Sequence, residues 1–344
     1  MGILRKTSFV AAAAAGGAVA GAAVIGTAAA AGATMLLIRA LRGKPVPENA
    51  VVLITGGSRG LGLAIASRFA RRPVRLVLAA RHRDELERAQ ADLLARHPHL
   101  RAEDFYLVAA DLSQPAECSR VVTEAIARFR RIDVLVNNAG IIEVGPIEAQ
   151  TTEAFERAMR INFFAALYTT WAALPYLRKQ HPLHGWSRRA AIVNIASIGG
   201  KFAVPHMLPY SAAKFALIGF SEGLHAELRY KGIRVTTVCP GLMRTGGEQH
   251  AKFVGDVEAE RRWFNLAAKT PMIAASVDHA ACRIYRAVAS GCAEITVTPQ
   301  AWVIARKQGL MPGTMQLAAS LANRYVLPQA PGEEDAVAGE SQED

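Results

Sequence analysis

Val51-Val52-Leu53-Ile54-Thr55-Gly56-Gly57-Ser58-Arg59-Gly60-Leu61-Gly62 is the stretch that decides the fold. An apolar, β-favouring run ends in a glycine cluster, and helical spacing of Leu63, Ile65, Ala66 and Phe69 starts directly after it. Glycine lets the backbone turn tightly, and the amides at a helix start, favoured by the helix dipole, can receive a pyrophosphate. Glycine clusters serve ordinary turns too, so the strand before and the helix after are what make this a candidate dinucleotide loop. Its candidate contacts are Thr55, Gly56, Ser58, Arg59, Gly60, Leu61 and Gly62.

Outward from this loop, short apolar runs alternate with longer helical periodicities. Arg75 to Ala79 precedes Asp84 to Arg96, and Phe105 to Ala109 precedes Cys118 to Phe129. Further runs lie at Val134 to Asn137, Ala191 to Ser197 and Arg234 to Cys239. Strand then helix, repeated, predicts an α/β fold, a doubly wound parallel sheet in a single main domain. Such sheets bind ligands beyond the carboxyl ends of their strands, so the chemistry should follow these runs.

The second strand ends in Ala79-Ala80-Arg81, without the carboxylate that would hold an unphosphorylated ribose. Arg59 and Arg81 suit a 2′-phosphate instead, so NADP (as NADPH) is the expected cofactor and NAD the less favoured one. Two ordinary surface arginines would read the same way. Asp111, with Leu112 beside it, either meets the adenine edge or caps the next helix.

Beside the loop stand Asn137-Asn138-Ala139-Gly140, Asn162, Ser197 and Tyr210-Ser211-Ala212-Ala213-Lys214. This set, in this order, resembles the short-chain dehydrogenase/reductase family over about Val51 to Thr245. The resemblance implies a Rossmann-type domain, NAD(P) binding, and a catalytic tetrad of Asn162, Ser197, Tyr210 and Lys214. It also implies that Asn138, Ala139 and Gly140 shape the cofactor pocket and that Pro240 and Gly241 line the nicotinamide, with Thr245 on its carboxamide. Relatives commonly pair through the helices that contain Asn162 and Tyr210, so a homo-oligomer is expected. The physics of the positions agrees: Tyr210 and Lys214 share a helix face, and a fixed cation favours phenolate, drawing the tyrosine toward its working range. Ser197 can donate to a substrate oxygen.

Phe202, Val204, Met207, Leu208, Phe253, Trp263 and Phe264 offer an apolar lining for a small hydrophobic carbonyl or alcohol, lipid-, steroid- or aromatic-like, and equally suit plain core. Ala301 to Leu327 is apolar with few charges; packing on the domain is the default, with the bilayer interface or the active-site mouth as alternatives.

Phe9 to Ile38 is an uncharged Ala/Gly-rich run. Its roughly 30 residues would span about 45 Å as a helix, enough for a hydrocarbon core of about 30 Å with tilt. An uncleaved single-pass anchor with the catalytic part facing the cytoplasm is the reading adopted; a cleaved or twin-arginine-like export signal remains the rival. The resulting layout is an anchor at 1–44, a Pro-containing linker at 45–50, a catalytic domain at 51–300, an apolar extension at 301–328 and a disordered acidic tail at 329–344.

The net charge of +11 is scattered without a basic stripe or stacking aromatics, so no nucleic-acid partner is expected. Cys118, Cys239, Cys282 and Cys292 lack ligand spacing, so no metal site is expected and the thiols read as buried. Two other functions stay open: a membrane-tethered NADP(H)-binding regulator without turnover, and an isomerase or dehydratase on the same fold.

Overall fold

The computed structural model describes residues 46–180, 190–244, 246, 249–269 and 274–329. The expected anchor at 1–44, Thr245 and the acidic tail from 330 lie outside the described residues. Everything below belongs to the unit that starts at Val46.

Seven strands form one sheet: β1 (Val51–Thr55), β2 (Arg75–Ala80), β3 (Phe105–Ala109), β4 (Val134–Asn137), β5 (Ala190–Ile195), β6 (Ile233–Cys239) and β7 (Glu294–Thr296). All pairings are parallel, in the order β7-β6-β5-β4-β1-β2-β3. Strand order reverses between β1 and β4, which creates the crevice such folds use for ligands. The connecting helices are α1 (Gly60–Phe69), α2 (Arg83–Arg96), α3 (Pro115–Phe129), α4 (Thr152–Met159), α5 (Ala165–Gln180), α6 (Leu208–Leu228), α7 (Val257–Lys269), α8 (Val277–Ser290), α9 (Pro299–Leu310) and α10 (Pro312–Tyr325).

Because successive strand residues point to opposite faces, β1 feeds two cores. Val52 and Ile54 join Ile65, Phe69, Leu86, Leu93 and Ile284 on one face. Val51 and Leu53 join Val121, Val122, Phe129, Leu177 and Leu228 on the other. A sheet covered twice needs continuous apolar strands, and β1 is buried throughout. Helix ends follow local chemistry. Ser276 accepts from His279 N to start α8, and Gly291, in the left-handed region, ends it.

Two departures from the sequence reading concern the edges. Val46 and Ala50 are buried in the first core and Asn49 N donates to Pro73 O at 2.7 Å, so the stretch expected as linker packs with the domain from Val46 on. The C-terminal segment, expected to pack on the domain, instead leaves Trp302, Leu310, Leu317, Leu321 and Tyr325 exposed. α10 buries none of its residues, and on α9 Ala301 is the buried one.

Candidate active site

The β1 to α1 turn is built so that only glycine fits. Gly56 holds φ at 64°, and a Cβ on Gly62 would stand 2.1 Å from the Gly56 carbonyl oxygen and 2.6 Å from Asn138 Nδ2. That closeness ties the turn to β4. Asn138 Nδ2 donates to the carbonyls of Thr55 and Gly56 at 3.0 and 3.1 Å, while Thr55 Oγ1 accepts from the amides of Asn138 and Ala139 at 2.9 and 3.1 Å. Thr55 and Gly62 therefore do not face the crevice as cofactor contacts; they brace the loop that does.

A cavity of about 680 Å³ runs from this loop along the carboxyl ends of the strands. Its near end is lined by Gly56, Ser58, Arg59, Gly60, Leu61, Arg81, Asp111 and Leu112, its middle by Asn138, Ala139, Gly140, Pro240 and Gly241. Asn162, Ser197, Tyr210 and Lys214 line the same space. Every candidate site residue except Thr55, Gly62 and Thr245, which lies outside the described residues, is thus on one wall or another of this cavity. Asp111 lines the cavity, and its Oδ1 accepts from Ser113 N at 3.0 Å in the turn before α3, whose N-cap is Gln114 and not Asp111.

Local structure aims each catalytic candidate. Between α4 and α5 the chain makes one π-helical turn, Arg160–Phe164, whose extra residue turns Asn162 inward, 1% exposed. Its amide is locked on Ile141, donating to the carbonyl and accepting from the amide, each at 3.0 Å. Ser197 follows β5 and accepts from Gly199 N at 3.0 Å. The Ser197 hydroxyl is also hydrogen-bonded to the Tyr210 phenol. One helical turn on, Lys214 Nζ lies 5.6 Å from the Tyr210 ring centre and donates to Ile195 O at 2.8 Å.

The sequence expectation that the ammonium and an oxidised nicotinamide together draw the tyrosine down meets an opposing effect in the protein alone. Burial pushes the Tyr210 phenol up, with the Ser197 hydrogen bond pulling the other way. Burial also holds Lys214 down, to about 8. Both groups sit in a dry wall, so each charge is penalised before either can help the other. Such a trio holds a neutral phenol that can pass a proton to an oxygen placed in the cavity.

Three features were not legible beforehand. Glu85, in the first turn of α2, lines the cavity and accepts from Ser58 Oγ at 2.9 Å and Arg59 Nη1 at 2.7 Å. The first turn of α2 thus brings a carboxylate to this end of the cavity, four residues after Arg81. His206 and Glu260 form a buried pair, Nδ1 to Oε1 2.6 Å, behind Trp263, whose Nε1–H donates to Glu260 Oε2 at 2.5 Å. Of the apolar lining, Phe202, Val204, Met207, Trp263 and Phe264 face the cavity, whereas Leu208 does not and Phe253 packs into a small core with Val144 and Phe264.

Cys118 and Cys239 are buried and their thiols pushed up to about 12, mainly by burial, which argues against a nucleophile. Cys282 is half-buried and Cys292 exposed, contrary to the expectation of four buried thiols. Among the described residues no group of three or more His, Cys, Asp or Glu converges on a metal position.

Known proteins place this arrangement. The chain matches the family model for short chain dehydrogenase over residues 50–252. It is 37% identical over 195 residues to a dehydrogenase/reductase SDR family protein 7-like of Anopheles gambiae, covering 57% of this chain and 59% of that one. It is 34% identical over 256 residues to 11-beta-hydroxysteroid dehydrogenase A of Sesamum indicum, covering 73% and 68%. A crystal structure of a short-chain dehydrogenase from Streptomyces avermitilis superposes with a TM-score of 0.66 at 26% identity, covering 80% of this chain and 98% of that one. The chain spans less than two thirds of the length of the Anopheles relative. With more than half its length inside the family model, and a glycine turn, switch-point crevice and Ser-Tyr-Lys wall in family order, the chain belongs to the short chain dehydrogenase family.

Proposed function

We propose that this protein is an NADP(H)-dependent oxidoreductase that interconverts a carbonyl and an alcohol on a small hydrophobic substrate. The observation that carries this reading is the convergence of Ser197, Tyr210 and Lys214 on one wall of a cavity whose other end is the glycine turn. A dinucleotide suits that turn, since Gly56, Ser58 and Gly60 line the near end of the cavity at the start of α1, where helix amides favour a pyrophosphate. Gly56, Gly60 and the first amides of α1 would hold its pyrophosphate, Asp111 and Leu112 would border the adenine, and Arg59 and Arg81 would face a 2′-phosphate. Bound there, the nicotinamide supplies the hydride acceptor or donor.

The protein's own part is proton handling and positioning. Ser197 donates to the substrate oxygen and fixes it beside Tyr210. Tyr210, keeping its proton, gives it to the oxygen as a carbonyl is reduced and takes it back when an alcohol is oxidised. Lys214, anchored on Ile195 O, presents its ammonium to the phenol and would hold the nicotinamide ribose. Asn162 fixes the backbone at Ile141 and positions a water that links Lys214 to solvent. Trp263, Phe264, Met207 and Val204 favour an apolar substrate, in keeping with the hydroxysteroid named for the sesame relative.

The membrane placement rests on sequence: an apolar run at Phe9 to Ile38 flanked by Arg5, Lys6, Arg39 and Arg42, with the catalytic part facing the cytoplasm. Among the described residues no helix is long and apolar enough to cross a membrane. Pairing of two copies through α5 and α6 is supported by exposed Trp171 and Phe215 on those helices.

The deciding experiment follows NADPH absorbance over a panel of apolar ketones and alcohols, with Tyr210→Phe as control. Turnover in the parent, lowered by roughly 10²–10⁴-fold in the variant with NADPH binding retained, is expected. Parental rates in Tyr210→Phe would remove the proposed acid/base. Binding without turnover on any substrate would mark a sensor, and product formed without net NADPH consumption an isomerase or dehydratase.

A further inference from the structure

Beyond the cavity, the last two helices carry an apolar surface that no described residue covers. α10 packs against α9 and buries none of its own residues. Leu317, Leu321 and Tyr325 recur along it at helical spacing, 61%, 49% and 71% exposed, and on α9 Trp302 and Leu310 are 52% and 81% exposed. Apolar side chains gathered this densely on a surface mark a partner.

The charges say which partner. From Pro299 to Gln329 the ionised side chains are Arg306, Lys307 and Arg324, with no Asp or Glu. Arg306 lies over the Trp302 ring at 5.5 Å and Arg324 over the Tyr325 ring at 5.4 Å, so cation and aromatic share the same places. We propose that the α9–α10 hairpin docks on an anionic lipid surface, its apolar side chains at the acyl boundary and its basic ones among the phosphates. Face to face, a second copy's α9–α10 segment would bring the same cations and no carboxylate to neutralise them, which disfavours pairing through this surface.

The docking does not depend on the chemistry at Tyr210. One consequence does rest on the proposed function. Gln300, Ala301 and Ile304 of α9 also line the cavity, so the helix that lies on lipid is a wall of the substrate chamber. An apolar substrate dissolved in the membrane would then enter beside α9 without crossing water.

Tryptophan emission tests the docking on the full chain, because its tryptophans are Trp171, Trp186, Trp263 and Trp302 and none lies in the first 44 residues. Full-length protein is mixed with phosphatidylglycerol/phosphatidylcholine vesicles whose acyl chains are brominated. The expected result is a lipid-quenched component that Trp302→Phe removes. The double variant Leu317→Glu/Leu321→Glu, and vesicles without phosphatidylglycerol, should each reduce the quenching by at least about threefold. The thermal midpoint of the double variant, whose altered side chains are exposed, should match the parent.

Equal quenching in the parent and Trp302→Phe would overturn the proposal. So would lipid-free shielding of Trp302 from an aqueous quencher that grows with protein concentration, since that reports a second copy on the same face. Hydride transfer enters none of these readouts, so a wrong substrate assignment and a wrong docking surface fail separately.

Discussion

Lys214 is a charge kept in a place that resists it. It is 4% exposed, held at about 8 by burial, and its one recorded hydrogen bond goes to a backbone carbonyl, Ile195 O. An unfolded lysine titrates near 10.5, so between about pH 8 and 10.5 the unfolded chain holds a proton that the folded chain has released. Stability from this residue therefore rises with pH across that window, and below about 8 the full penalty is present. The difference in unfolding free energy between parent and Lys214→Met is expected to change by roughly 2–3 kcal/mol over the window, read by urea unfolding; a difference flat with pH would mean Lys214 is not depressed. At the glycine-turn end of the cavity, Glu85 accepts from Ser58 and Arg59, the latter one of the two arginines proposed to face a 2′-phosphate. Arg59 and Glu85 are 42% and 22% exposed, so their pair is a partly solvated one. NADPH should bind the parent at least about tenfold more tightly than NADH, and Glu85→Gln should widen that ratio by a further twofold to fivefold, the scale of a partly exposed ion pair plus relief of carboxylate–phosphate repulsion. An unchanged ratio by fluorescence titration would show that Glu85 plays no part. That Asn162, Ser197, Tyr210 and Lys214 share one cavity was legible from sequence, because Tyr210 and Lys214 sit one helical turn apart and the turn residues keep family order. Glu85 was not, because an acid in the first turn of a helix has a local explanation, the helix dipole. Its true partner stands 26 residues away, across a tertiary contact.

Elements were legible wherever a run of apolar residues was long enough to be buried on both faces. β1, β3 and β4 have the limits their apolar runs suggest, and β2, β5 and β6 differ by only a residue or two. β7, Glu294–Thr296, escaped notice because three residues with a leading glutamate make no apolar run; it exists through pairing with Thr237 to Cys239 of β6. What fixes α6 over the sheet was also hidden. Asn137 Nδ2 donates to Asn194 Oδ1 at 2.8 Å, Asn194 Nδ2 to Ser221 Oγ at 3.0 Å, and Thr237 Oγ1 to Ser221 Oγ at 2.7 Å. This buried ladder joins β4, β5 and β6 to the helix that bears Tyr210 and Lys214, with Ser221 two turns along from Lys214. Asn137 belongs to the segment that carries the family resemblance, while the other members of the ladder come from separate strands and a helix. On the substrate side α7 is held in a similar way. Glu260, fully buried, receives the His206 ring and the Trp263 indole, and His206 itself holds φ at 62°. Removing that carboxylate leaves the buried His206 ring and the half-buried Trp263 indole without their acceptor. Glu260→Ala is expected to cost on the order of 3–5 kcal/mol in urea unfolding, and Glu260→Gln less, since the amide oxygen can still accept from the indole. A Glu260→Ala protein within about 0.5 kcal/mol of the parent would show that the pair does not hold α7.

At the scale of the whole molecule, the apolar run at the N-terminus pointed to membrane, while the net charge of +11, scattered along the chain, singled out no segment. Scattered basic residues looked like a solvated surface; the exposure of Trp302, Leu317 and Tyr325, with Arg306 over the Trp302 ring and Arg324 over the Tyr325 ring, is what sets this segment apart. Two attachments of different physical kind are therefore proposed for one chain, and salt tells them apart. A helix spanning the hydrocarbon is held by apolar burial, which added salt does not weaken. A basic hairpin lying on phosphates is held in good part by charge, screened over about 3 Å at 1 M salt. Full-length protein in membranes should stay sedimented through a wash at about 1 M salt and need detergent for release. A chain lacking Met1 to Lys44 keeps the whole unit that begins at Val46, so it should fold and bind NADPH as the parent does. It should sediment with anionic vesicles at low salt and leave them in the same wash. Full-length protein found in the supernatant without detergent would discard the anchor. A truncated chain that ignores vesicles at every salt concentration would discard the hairpin, whatever the anchor does.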